Sequence, residues 1–370
     1  MLPITDGRVH VRYIKVDRLW PPVFGVQGVG TMRNERTASR RDFLRNCLAG
    51  AVGLAVADQP VALDAAEPVT SLGKSRVVIA QDAQMRGAGT GVDGGRVLSL
   101  LDHAMQRLFN ARDPIQPWIR MVRPGQMVAV KVNTLGGRGL STNVQLVEAI
   151  CERLQAAGIR AQDIVIWDRD SAELERAGFR VRTGASQVQC FGTDRVGFEE
   201  DLVSYGSVGS RLSKILTQRC DVLINVPVLK DHDGAGVSIA LKNMYGVIHN
   251  PNKYHPNGCD PYVADVNMLP EIRSRLRLHI CDATTACFEG GPAFKPQFAW
   301  QQNALIISQD PVALDTIGWQ TIERKRAEKG LKTLAAEDRT PRYIATAADA
   351  DHQLGTNDPR RIELVETRGS

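Results

Sequence analysis

The chain has 370 residues, 43% of them hydrophobic, 24% charged and 5% aromatic, a balance that excludes a disordered or fibrous protein. Its net charge of +5 does not describe a nucleic-acid surface, because residues 1 to 57 hold nine Lys/Arg against four Asp/Glu and leave the remainder formally neutral. The length allows a large buried core without disulfide staples.

In chain order the first pattern is Ser39-Arg40-Arg41-Asp42-Phe43-Leu44-Arg45, followed by an apolar stretch from Cys47 to Ala57 that closes on the small residues Ala55-Val56-Ala57. This is similar to a twin-arginine export signal. Its charged head is attracted to an anionic membrane face, while eleven apolar residues are too few to span a hydrocarbon core of about 30 Å. Removal is therefore expected, with no permanent membrane anchor, and Gly50 and Gly53 weigh against an amphipathic first helix. Thirty-eight residues precede Ser39, and Met32-Arg33-Asn34-Glu35-Arg36 supplies a basic head. Translation is expected to start at Met32, making 1–31 a misassigned extension and 32–66 the signal and its joint, with cleavage after Ala57 or near Ala65 or Ala66. A periplasmic or otherwise exported protein that meets the twin-arginine export machinery follows from this. Such export suits proteins that fold around a cofactor, but the sequence names none. Beyond the signal stand Cys151, Cys190, Cys220, Cys259, Cys281 and Cys287, with no CxxC. No iron–sulfur or structural zinc site of the common kind is expected. Cys151 and Cys220 read as buried small hydrophobes, and a Cys281–Cys287 disulfide is left open.

Strands are predicted at 76–80, 127–132, 163–167, 221–226, 278–281 and 304–308. Between them, Leu146, Val147, Ile150, Cys151 and Leu154 share one face of a predicted helix at 144–154, and Gly158 marks its end. Near-continuous apolar strands alternating with such helices predict an α/β fold: a mainly parallel sheet with helices on both faces, in a single large domain over 75–366. Ligands gather beyond the carboxyl ends of such strands. There the sequence places Lys131-Val132-Asn133, Asp168, Asn225 with Lys230 and His232 beyond it, and Asp282. Gly89-Thr90-Gly91-Val92-Asp93-Gly94 matches GxGxxG, yet it trails its strand by eight residues and lacks the acidic partner of a dinucleotide site, so it reads as a glycine loop. Asp310 before Pro311 reads as a helix cap.

The densest segment runs from Asp221-Val222-Leu223-Ile224-Asn225 through Val226-Pro227-Val228-Leu229-Lys230-Asp231-His232 to Gly234-Ala235-Gly236 and Ala240-Leu241-Lys242-Asn243-Met244-Tyr245-Gly246. With Lys131-Val132-Asn133, Phe288-Glu289-Gly290-Gly291-Pro292 and Asp310-Pro311-Val312-Ala313-Leu314-Asp315, it resembles the domain-of-unknown-function family 362, over roughly Ser75 to Ile322. Some members of that family carry ferredoxin-like cysteine clusters; this chain lacks them, so the resemblance implies no iron–sulfur role here. The chemistry has to come from the residues. Gly234 and Gly236 ahead of a predicted helix at 237–247 would offer amides and a helix dipole to an anion. Lys131, Lys230, His232 and Lys242 would surround it, with Lys242, Lys230 and His232 as candidate catalytic groups, since crowded ammonium groups lower one another's pKa. Asn133, Asn225, Asn243 and Asp282 would orient the ligand. A metal reading, recruiting His232, Asp233, His249 or His255 with Asp282, lacks ligand spacing. The segment 254–261 reads equally as a lid or a surface loop. Two functions follow, and the residues do not decide between them. One is an enzyme moving a proton beside a carboxylate or phosphate; the other is a periplasmic binding or redox-accessory protein holding the same small anion.

Overall fold

Apolar runs become strands close to where composition places them. In the computed structural model, which describes residues 73–369 apart from 88 and 90, the strands are β1 (Ser75–Gln81), β2 (Val128–Lys131), β3 (Ile164–Trp167), β4 (Gln189–Cys190), β5 (Val203–Tyr205), β6 (Val208–Ser210), β7 (Val222–Asn225), β8 (Val228–His232), β9 (Gly236–Ser238), β10 (Leu276–Cys287), β11 (Ala299–Trp300), β12 (Ala304–Ser308) and β13 (Ile362–Arg368). The export signal, its joint and the start at Met32 lie outside the described residues, which all belong to one compact unit. Among the described residues no helix is long and apolar enough to cross a membrane.

The main sheet runs β13-β1-β12-β10-β7-β2-β3-β4. Every strand on this path points the same way except β12, which is antiparallel to both β1 and β10. Alternation along each strand sends side chains into two cores. Val128, Val130, Val222, Ile224, Ile164 and Ile166 face one, covered by the helices Gly94–Phe109, Val144–Ala156 and Ser171–Ala177. Ala129, Leu223, Val165, Trp167 and Cys281 face the other, covered by Tyr262–Met268, Pro311–Glu328 and Tyr343–Ala347. The mainly parallel sheet with helices on both faces is thus the fold. Asp310 caps its helix, its Oδ1 accepting the Val312 and Ala313 amides.

Two expectations need correction, and one pairing left open is excluded. The helix predicted at 237–247 is instead β9, then the single turn Ala240–Asn243, then a 3₁₀ turn Met244–Val247. Val237 and its neighbours pair antiparallel with Lys230, Asp231 and His232 of β8, and the β-branched Val237 and Ile239 suit that ladder better than a helix. Gly234 and Gly236 consequently belong to a hairpin and do not open a helix. Gly236 has φ +77°, and a Cβ there would lie 2.2 Å from the Arg339 carbonyl oxygen. Finally, Cys281 and Cys287 stand six residues apart on the same strand, β10, both as free buried thiols. At about 3.3 Å per residue they are far beyond disulfide reach.

Candidate functional site

Strand register builds the site. Lys131 pairs with Trp167 on β3 and with Asn225 on β7, Asn225 pairs with His279 on β10, and His279 pairs with Ser308 on β12. The row Trp167, Lys131, Asn225, His279 therefore crosses four adjacent strands on one face of the sheet. Against it packs the turn Ala240–Asn243, whose Ala240 carbonyl accepts from Asn225 Nδ2 at 2.9 Å.

A directed chain of amides grows from this row. Asn243 Nδ2 donates to Asn225 Oδ1 (2.7 Å), Asn133 Nδ2 donates to Asn243 Oδ1 (3.0 Å), and Lys230 Nζ donates to Asn133 Oδ1 (2.7 Å). The ammonium ends fix which way each amide faces, since an ammonium can only donate. At the sheet end, Asn225 Nδ2 donates to His279 Nδ1 (3.0 Å), and burial holds that imidazole neutral with a pKa of about 3.

The three lysines are all withdrawn from solvent, Lys131 and Lys230 being 1% exposed and Lys242 6%, but their partners differ. Lys131 Nζ donates to Asp168 Oδ1 (2.7 Å), to the Val132 carbonyl (2.7 Å) and, at 3.5 Å, to Asn243. Burial would raise the Asp168 pKa, but the Lys131 ammonium and Thr134 outweigh it and hold the carboxylate ionised. Gly246 makes room for the pair, since a Cβ there would lie 2.7 Å from Lys131 Nζ and 3.1 Å from Asp168 Oδ1. Lys230 has Asn133 as its bonded partner, and burial, with smaller contributions from Lys242 and Lys131, lowers its pKa to about 8 although Asp168 pulls the other way. Lys242 Nζ lies 3.2 Å from His255 Nε2 and 4.6 Å from the centre of the Tyr245 ring, with the Cys259 thiol beside it; burial lowers its pKa. Among the described residues neither Lys230 nor Lys242 forms an ion pair.

His232 extends from β8 on the same face as Lys230. Burial first, then Lys242, His255 and Lys230, push its pKa far below the usual imidazole value, and its Nδ1 accepts the Gly234 N–H at 3.2 Å. Its ring stacks on His255 at 5.7 Å. His255 belongs to the segment 250–261, in which Asn250, Asn257, Gly258 and Cys259 all take positive φ, and through it this segment covers Lys242 and His232. Lys131, Lys230, His232, Lys242, Asn133, Asn225 and Asn243 are thus brought together.

Other predicted members are not part of this group. Asp282 accepts the Asn143 amide (2.6 Å) and the Thr284 amide (2.8 Å), which fixes the loop after β2. The first two amides of the Ala240–Asn243 turn are not free for an anion either, because Asp315 accepts those of Ala240 (2.7 Å) and Leu241 (3.2 Å). Of the residues weighed for a metal, His249 packs edge-on against Phe198. Asp231, Asp233 and Glu289 have oxygens within 4.8 Å of one another, but the Arg339 guanidinium reaches them at 2.5, 3.8 and 3.1 Å and makes this an ion-pair network. Two surface clefts, of about 350 and 860 Å³, are lined by none of the lysine-cluster residues.

Sequence reasoning missed His279, His255 as the partner of Lys242, and Asp168 as the counter-ion of Lys131. A polar residue inside an apolar strand was the available signal for His279, and a carboxylate closing β3 for Asp168.

The fold and site define an α/β protein with a buried lysine, asparagine and histidine cluster at the carboxyl ends of its central strands. The chain belongs to the family described as Domain of unknown function (DUF362), whose model matches residues 128–320, a span that contains the whole cluster. Comparison with curated proteins gives no match.

Proposed function

We propose that this chain is an exported protein whose Lys131, Lys230, His232 and Lys242 cluster binds a small anionic metabolite or cofactor, with Lys230, Lys242 or His232 moving a proton at the bound ligand. The observation that carries this reading is the charge count in the cluster: among the described residues, three buried lysines share one contacting carboxylate, Asp168, which is already committed to Lys131. An uncompensated buried ammonium is costly, and an anion lying between Lys230 and Lys242 offsets that cost. The neutral His232 beside both amines supports a proton-transfer role, because its Nδ1 can exchange the Gly234 N–H contact for a proton once a bound anion cancels part of the surrounding positive field.

A non-catalytic binding or redox-accessory role is the second reading, favoured by the closed amide chain and by the cover that His255 forms over Lys242. Calorimetric titration of the full chain with oxalate and phosphate tests the shared claim. Binding that disappears in the Lys230→Met/Lys242→Met variant is expected, and unchanged affinity in that variant would refute it. His232→Ala separates the two roles: an enzyme loses turnover and keeps its fold, whereas a carrier loses affinity only.

A further inference from the structure

We propose that Lys230 is an imine-forming nucleophile, and that the ligand class is a carboxylate bearing an adjacent ketone or aldehyde, such as a 2-oxo acid. This rests on the anion-binding reading and names the substrate class of that same site. The three amines are not equivalent. Lys131 spends its hydrogens on Asp168, the Val132 carbonyl and Asn243, so it is a structural cation. Lys242 lies against the Tyr245 ring with a neutral imidazole nitrogen as its hydrogen-bond partner, a contact that a ligand carboxylate replaces with a gain in charge complementarity. Lys230 donates to one neutral oxygen, Asn133 Oδ1, and the amide chain from Asn225 through Asn243 pins that oxygen in place. A neutral Lys230 keeps this single hydrogen bond and presents its lone pair away from it. Its lowered pKa, about 8, gives roughly two- to three-hundredfold more free amine at neutral pH than an exposed lysine has.

In the step itself the Lys230 nitrogen attacks the carbonyl carbon and the C–O π bond breaks. Both hydrogens of the neutral amine pass to the oxygen, which leaves as water, and a C=N bond remains; His232, whose Nε2 carries the ring proton because Nδ1 accepts the Gly234 N–H, donates a hydrogen bond to that oxygen as it leaves. No oxidant or reductant is needed. In this pose the carboxylate lies on Lys242 and the adjacent carbonyl on Lys230, two amines of one cluster in which the Lys242 charge lowers the Lys230 pKa.

Reductive trapping tests the proposal. The full chain is incubated with pyruvate and sodium cyanoborohydride at pH 7, and labelled peptides are mapped by mass spectrometry. Lys230 is expected to gain one pyruvate less one oxygen, at least about tenfold faster than the exposed Lys329, as its larger free-amine fraction requires. Lys230→Arg should lose the adduct, and oxalate should protect Lys230 in the unaltered protein, a readout that holds even where the variant fails to fold. Labelling of Lys242 in preference to Lys230, or no selective labelling while oxalate still binds, would overturn the imine assignment and leave the anion site standing. Failure of oxalate to bind at all would instead remove the reading on which it rests.

Discussion

The ion pair between Lys131 and Asp168 is the most heavily buried in the site, with side chains 1% and 9% exposed. Removing one partner strands the other charge in a medium that solvates it poorly. Asp168→Ala should therefore cost about 3–5 kcal/mol in a urea melt, well above the effect of a surface carboxylate. Because the Asp168 pKa lies below its ordinary value in the fold, its contribution is present above about pH 4, the unfolded value, and is lost as pH falls through the lower folded value. Lys230 has the opposite character. Its folded pKa of about 8 lies below the 10.5 of a free lysine, so below pH 8 it destabilises the fold, and that cost disappears as pH rises toward 10.5. Lys230→Met should raise the stability of the unliganded protein at pH 7 by about 1–3 kcal/mol while removing anion binding, a trade expected of a functional residue. A loss of stability in that variant, read from the same melts, would mean that the amine serves the fold. His352 offers a comparison outside the cluster. Burial lowers its pKa, but Asp265 (3.0 Å) and Asp349 (2.8 Å) outweigh it and the net shift is upward. Its contribution is full below about pH 6.5 and is lost as pH rises through the folded value, so the stability gap between the unaltered protein and His352→Gln should narrow from pH 6 to pH 9.

At the level of elements, the 3₁₀ turn Met244–Val247 can approach β2 only because position 246 lacks a side chain. The Lys131 ammonium is held by three acceptors and cannot swing aside, so Gly246→Ala should cost about 1–3 kcal/mol and weaken anion binding together with stability. Melting curves and calorimetry on this one variant check both effects. The same region shows where the sequence was legible and where it was not. Runs such as Val128–Lys131 and Val222–Asn225 declared themselves by composition, and the polar residues at their ends fell on the predicted edge. The stretch after Asn225 did not, because Gly234-Ala235-Gly236 serves a hairpin turn as readily as a helix start, and the ladder between β8 and β9 is a tertiary choice. His279 was hidden for a related reason: its partner Asn225 lies fifty-four positions away and becomes its neighbour only through parallel register.

For the molecule as a whole, parallel register converts separated motifs into one charged row, while β8, running on from β7 along β10, carries Lys230 and His232 beyond the end of that row. The central claim is that this buried cluster, in which the Lys230 amine has a pKa of about 8, receives an anion. Proton linkage tests it most directly: titrate the full chain with oxalate at pH 8 in buffers of different ionisation enthalpy. An anion settling beside Lys230 raises its pKa, so binding should take up a fraction of a proton and the measured heat should vary with the buffer, an effect lost in Lys230→Met. Binding with no buffer dependence, or uptake that persists in the variant, would contradict the account.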